Sequence, residues 1–130
     1  MGRGRFVLFY LLAGIAAAYA QALLDTNATL PAVGASGAIA GVLGGYLLLY
    51  PHARVLTMVI IIFFVTLIEI PAVIMLGIWF VLQFFTGPNS GVAYMAHIGG
   101  FVFGIAIAAV LRSADWWHSD SSSASYRLAP

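Results

Sequence analysis

Apolar residues run along this chain in long blocks separated by a few polar breaks. Phe6 to Leu24 is unbroken apart from Gln21. A helix of that length matches one crossing of a bilayer about 30 Å thick, at about 1.5 Å of rise per residue. Asp25, Thr26, Asn27 and Thr29 break the pattern before Pro31. A second block, Val33 to Tyr50, is rich in small residues and ends at Pro51-His52-Ala53-Arg54. A third apolar region, Val55 to Phe85, is interrupted by Glu69 and Pro71. Thr86-Gly87-Pro88-Asn89-Ser90-Gly91 is a strong turn signal, and the last block runs from Tyr94 to Leu111. From Arg112 onward the chain is polar and serine-rich. The pattern predicts a membrane domain over 1–112 and a disordered cytoplasmic tail over 113–130.

Composition sharpens this picture. Of 130 residues, 63% are hydrophobic and 7% charged, where a soluble domain carries roughly a quarter charged. So short a soluble chain has too much surface for its volume to hide that apolar content, so lipid is the expected solvent. The net charge of +1 argues against a nucleic-acid partner. With no cysteine and no His, Asp and Glu at ligand spacing, neither a disulfide framework nor a metal site is expected, and no cofactor is implied.

The arginines set the expected orientation. Arg3 and Arg5 precede the first block, Arg54 follows the second, and Arg112 and Arg127 follow the last, while the segments at 25–32 and 86–93 carry no cation. Cationic residues are retained on the cytoplasmic side of short loops. An in-out-in-out-in path satisfies all five arginines if the region 55–85 crosses once, from about Ile70 to Phe85. Val55 to Ile68 would then lie at the cytoplasmic interface or against the bundle. Glu69 suits that split, because a carboxylate costs least near the headgroups, and Trp116 and Trp117 suit the interfacial aromatic belt. His52 and His118 fall on the same side and read as solvated interfacial groups. The expectation is an all-α polytopic bundle of four transmembrane helices in the plasma membrane, a bacterial or archaeal inner membrane. A competing reading takes the start as a signal peptide cleaved after Ala18-Tyr19-Ala20. The continuation of the apolar run through Leu24 counts against it.

Two polar residues stand out. Ser36 lies in Gly34-Ala35-Ser36-Gly37, where the outer loop enters the second block. A helix start presents unpaired backbone N–H groups that can hold an oxyanion, and Gly34 and Gly37 let a substrate backbone approach. Taken by itself, Ser36 is more readily a helix N-cap, because Ser is common at that position. His97 lies near the outer end of the last block. An imidazole there can take and return a serine proton, or simply bond across helices for packing. Topology puts both residues just below the outer surface on helices running the same way. Small residues recur at four-residue spacing on both helices: Gly37, Gly41 and Gly45 with Ser36, Ala40 and Gly44 on one, and Ala96, Gly100, Gly104 and Ala108 on the other. Such ridges permit close helix contact in lipid.

These residues resemble the rhomboid family of intramembrane serine proteases. Gly34-Ala35-Ser36-Gly37 is similar to the family's G-x-S-G nucleophile motif, and His97 with Gly100 and Gly104 is similar to its H-x-x-G-x-x-x-G pattern. Leu47-Leu48-Leu49-Tyr50-Pro51 and Ala96-His97-Ile98-Gly99-Gly100-Phe101 also resemble bacterial members, and the likeness runs from about Gly2 to Leu111. It implies that the four spans match family helices three to six, and that a Ser36–His97 dyad cleaves transmembrane segments of membrane-protein substrates. Two departures bear on activity. The two helices that members carry before the region matching Phe6, with their oxyanion side chains, have no counterpart, so the expectation is a fragment or truncated product, poorly active alone. Many members also place an aromatic four residues after the nucleophile to support the histidine ring, and here that position is Ala40. The alternative function is a pseudoprotease that binds transmembrane clients without cleaving them. A transporter or channel subunit is the weakest reading, because the middles of the spans offer almost no polar lining.

Overall fold

Three helices, α1 (Arg3–Leu24), α2 (Gly34–Leu49) and α4 (Tyr94–Ser113), pack around an interior made mostly of small side chains. Between α2 and α4 come an antiparallel hairpin, β1 (Arg54–Ile61) and β2 (Phe64–Pro71), and a short helix, α3 (Ala72–Gln83). The computed structural model describes residues 2–24, 34–86 and 92–114. The polar break at 25–31, most of the turn signal at 86–91, and the tail beyond Ala114 lie outside the described residues.

The interior is inverted relative to a water-soluble protein. Ala13, Ala17, Ala38, Ala40, Ala96 and Ala108 are buried, with Phe9 and Phe101 the large side chains among them. Leu8, Leu11, Ile15, Leu23, Ile39, Val102 and Val110 face outward. Lipid tails are as apolar as leucine, so large aliphatic side chains gain nothing by turning inward, and association rests on close backbone packing. A Cβ built on Gly41 would lie 3.1 Å from the Gly100 carbonyl oxygen, and one on Gly45 would lie 3.2 Å from the ring of Phe9. Contacts advance together along α2 and α4, from Gly37 with Ala96 to Gly45 with Ala108. These two helices therefore run parallel. On α1 the contacts run in reverse, from Ala17 at Gly37 to Phe9 at Gly45, so α1 is antiparallel to both. The C-terminal end of α1 and the N-terminal starts of α2 and α4 share one end of the bundle. The helix that carries Ala18-Tyr19-Ala20 is thus part of the core, with Ala17 and Ala20 packed on its partners.

The all-α expectation is corrected by the hairpin. Arg54 to Pro71 pairs in antiparallel register, with Ile61 opposite Phe64 across a two-residue turn at Ile62-Phe63. Ile62 takes a φ of 55°, a strained value for a β-branched residue. The strands are rich in Val, Ile and Thr, which fit a pleated surface better than a helix. Alternate residues Val55, Thr57 and Val59 are half-buried while Leu56, Met58 and Ile60 are exposed, and the Thr57 hydroxyl lies 3.9 Å from Met75 Sδ on α3. The Arg54–Glu69 pair at 3.1 Å ties the strands near their base. Both side chains are well exposed, so the pair is worth at most about 1 kcal/mol.

The third expected crossing, Ile70 to Phe85, also changes. Pro71 ends β2, and α3 begins at Ala72 with 12 residues. That gives about 18 Å of helix, less than a bilayer core needs. Only α1, with 22 residues, and α4, with 20, have the length of a full straight span among the described residues; α2 is shorter at 16. Backbone bonds from Ala72 to the Ala53 carbonyl and from Val73 to the Pro51 carbonyl root α3 beside the end of α2. From there α3 runs back toward the end of the bundle where α2 and α4 begin.

Candidate active site

Four elements converge at that end. The structure starts α2 at Gly34, so Ser36 falls inside its first turn, half-buried. His97 lies in the first turn of α4, half-buried, with its backbone N–H bonded to the Ala93 carbonyl at 3.2 Å. The neighbours of these two residues touch. A Cβ on Gly37 would lie 3.3 Å from the Ala96 carbonyl oxygen and 3.5 Å from the Ala96 Cβ. A Cβ on Gly100 would overlap the Gly37 carbonyl. Positions 36 and 97 therefore sit at one level on adjacent parallel helices.

Two glutamines complete the surroundings. The start of α4 has no side-chain cap of its own, because its N-cap residue is Ala93. Gln21 of α1 supplies the missing acceptor: its Oε1 takes the Ala96 backbone N–H at 3.0 Å. This is one of the N–H groups that a helix start leaves without an intrahelical partner. Gln21 is 7% exposed, so no water substitutes easily for it. Replacing it with leucine is expected to strand the Ala96 N–H and cost about 1–3 kcal/mol. Unfolding in mixed micelles by added SDS measures that loss, and an unchanged midpoint would show that the bond carries no weight.

The second glutamine is Gln83, the last residue of α3. Its Oε1 lies 2.9 Å from His97 Nδ1, and its Nε2 donates to the Trp79 carbonyl at 3.2 Å. The Trp79 ring stands 5.8 Å from the imidazole, tilted by 38°. Phe101 is 5.8 Å from Trp79 and is stacked on Phe80 at 4.6 Å, which locks α3 onto α4. The sequence left open which side chain would hold the His97 ring in place of the aromatic that Ala40 replaces. Among the described residues, Gln83 and Trp79 both lie against it. Gln83 is the one strongly polar uncharged amide in the apolar run from Val55 to Phe85. A polar amide in an apolar block is the usual sign of an interhelical bond, and that signal stands in the sequence itself.

Of the glycines singled out in the sequence, Gly37 and Gly41 of α2 lie against Ala96 and Gly100, and Gly45 against Phe9, Gly104 and Ala108. Gly104 meets the Gly41 backbone. Gly34 begins α2. His52, in the turn after α2, is exposed and remote from His97, while His118 lies outside the described residues. Among the described residues no three His, Cys, Asp or Glu side chains gather into a metal-binding group.

No curated protein and no solved structure matches the chain. The family model described as the rhomboid domain matches residues 1–114, nearly the whole chain. An apolar bundle with parallel α2 and α4 meeting beside Ser36 and His97 is thus accompanied by a match that covers every described element, and the chain belongs to the rhomboid family of intramembrane proteases.

Proposed function

We propose that this chain is a serine endopeptidase that cleaves transmembrane segments of membrane-protein substrates with Ser36 as nucleophile and His97 as general base. The observation that carries the reading is the contact of Gly37 with Ala96 across two parallel helices, which is consistent with positions 36 and 97 lying at one level on adjacent helices. The engagement of His97 Nδ1 supports it, because the other ring nitrogen, Nε2, is left as the proton acceptor.

The chemistry follows from these groups. Ser36 Oγ attacks the scissile carbonyl carbon as His97 Nε2 takes the hydroxyl proton, which needs the two atoms within about 2.6–3.2 Å. The carbonyl π electrons move to oxygen, and backbone N–H groups at the start of α2 stabilise the oxyanion. Gly34 presents no Cβ to the incoming substrate backbone, while the space a Cβ would take on Gly37 is filled by Ala17 and Ala96, so that glycine serves the packing of α2 against α1 and α4. The tetrahedral species collapses with cleavage of the C–N bond, and His97 returns its proton to the leaving amine. Water then attacks the acyl-serine ester, giving its proton to His97, and Ser36 leaves with that proton.

In this reading the chain is a multi-pass protein of the plasma membrane, with Arg3, Arg5, Arg54 and Arg112 toward the cytoplasm. The active end then faces the outer leaflet, and substrates reach it within the bilayer. A fluorophosphonate probe tests the assignment. One adduct per chain is expected, on the peptide that contains Ser36. Absence of labelling, together with capture of a transmembrane client that survives Ser36→Ala, would replace the protease reading with a client-binding one.

A further inference from the structure

The amide of Gln83 determines which ring nitrogen of His97 carries the proton. Backbone carbonyls only accept hydrogen bonds. The Gln83 group facing the Trp79 carbonyl at 3.2 Å must therefore be the NH2 group, which turns Oε1 toward His97. Oε1 also only accepts, so the bond at 2.9 Å requires a proton on His97 Nδ1. In the neutral ring that leaves Nε2 bare. One backbone carbonyl thus fixes an amide, and the amide fixes a tautomer. Gln83 is 7% exposed, so the contact is shielded from competition by water.

We infer that Gln83 is a positioning residue for the Ser36–His97 pair, holding the His97 ring through Nδ1–H so that Nε2 is the basic atom presented to the serine. The inference rests on the protease reading above. A glutamine suits a site buried in apolar surroundings, where a lone carboxylate would be expensive to ionise. It accepts the Nδ1 proton without bringing a charge. Cysteine proteases with a Cys-His-Asn arrangement orient their base with an amide in the same way. The Trp79 ring packs beside the imidazole and the Trp79 carbonyl anchors the amide, so the last turn of α3 acts as one clamp.

The test uses the full chain in detergent micelles with three variants and two measurements. The first is the rate of fluorophosphonate labelling. The second is the 15N spectrum of the His97 ring, which reports the tautomer whether or not the serine reacts. Gln83→Met removes the acceptor at similar volume and is expected to slow labelling by about 100-fold, the low end of what a positioned general base contributes. It should also lose the native preference for Nδ1–H. Gln83→Glu restores an acceptor at the same place and is expected to recover most of the rate. Gly77→Ala, on the open face of α3, is the control for helix perturbation and should label at the native rate. Labelling of Gln83→Met at the native rate would overturn the inference. So would a failure of Gln83→Glu to recover when both variants unfold at lower SDS than the native chain, since that pattern is structural. If the native chain does not label at all, the protease reading fails and the positioning role fails with it, even if the ring spectrum shows Nδ1–H.

Discussion

Gly104→Ala is expected to destabilise the bundle by about 1–3 kcal/mol, or more if α2 cannot yield, although it adds a single methyl group. The new Cβ would lie 2.6 Å from the Gly41 carbonyl carbon and 2.8 Å from its Cα. Both atoms are backbone, so no side chain can rotate away, and α2 and α4 must part. Parting them also disturbs the contacts of Gly41 with Ala13 and of Gly100 with Ala17, because α1 seats on the same glycines. Gly104→Leu is expected to prevent assembly outright. Gly77→Ala is the matched comparison: a Cβ there meets nothing within 4 Å. It removes a poor helix former from α3 and should stabilise by up to about 1 kcal/mol. SDS unfolding of the three proteins reads the difference. If Gly104→Ala and Gly77→Ala unfold at the same point, α2 and α4 do not touch where the packing puts them.

His97→Ala is expected to slow cleavage of a transmembrane substrate by about 10²–10⁴-fold and to cost about 1–3 kcal/mol of stability, because it leaves the buried Gln83 Oε1 without the imidazole. The partners that remain keep the loss to that size. Truncating His97 leaves the Gln83 amide without its imidazole, but Nε2 of Gln83 still bonds the Trp79 carbonyl, and Phe101 still joins α3 to α4. Ser36→Ala should lose activity at least as fully, because no nucleophile remains. Quantified cleavage in proteoliposomes, alongside SDS unfolding midpoints, separates the chemical loss from a folding loss. A His97→Ala chain that cleaves at the native rate would remove the imidazole from the mechanism.

Much of the molecule is legible in its residue order. The apolar blocks at Phe6–Leu24 and Tyr94–Leu111 became α1 and α4 within a few residues, because a long uniform run has one strong solution in lipid. The region from Val55 to Phe85 was harder. A continuous apolar run has no periodicity to choose helix from strand, and the turn at Ile62-Phe63 lacks the Gly or Asn that announces a hairpin. The β-branched density of Val55 to Ile70 was the remaining clue. Exposure along β2 does not alternate, so even the strand pattern is absent there. The same hairpin leaves Phe63 94% exposed at its tip.

Residue order was enough for the family and for the apolar character. Gly34-Ala35-Ser36-Gly37, and His97 with Gly100 and Gly104, are short patterns whose meaning survives without knowledge of their neighbours. The groups that meet those residues emerge only when the helices pack. Gln21 reaches Ala96 across 75 positions, and Gln83 reaches His97 across 14. Each contact depends on the rotational phase and axial shift of one helix against another. Those quantities are set by summed van der Waals packing over whole helix faces, and no local run of residues encodes them.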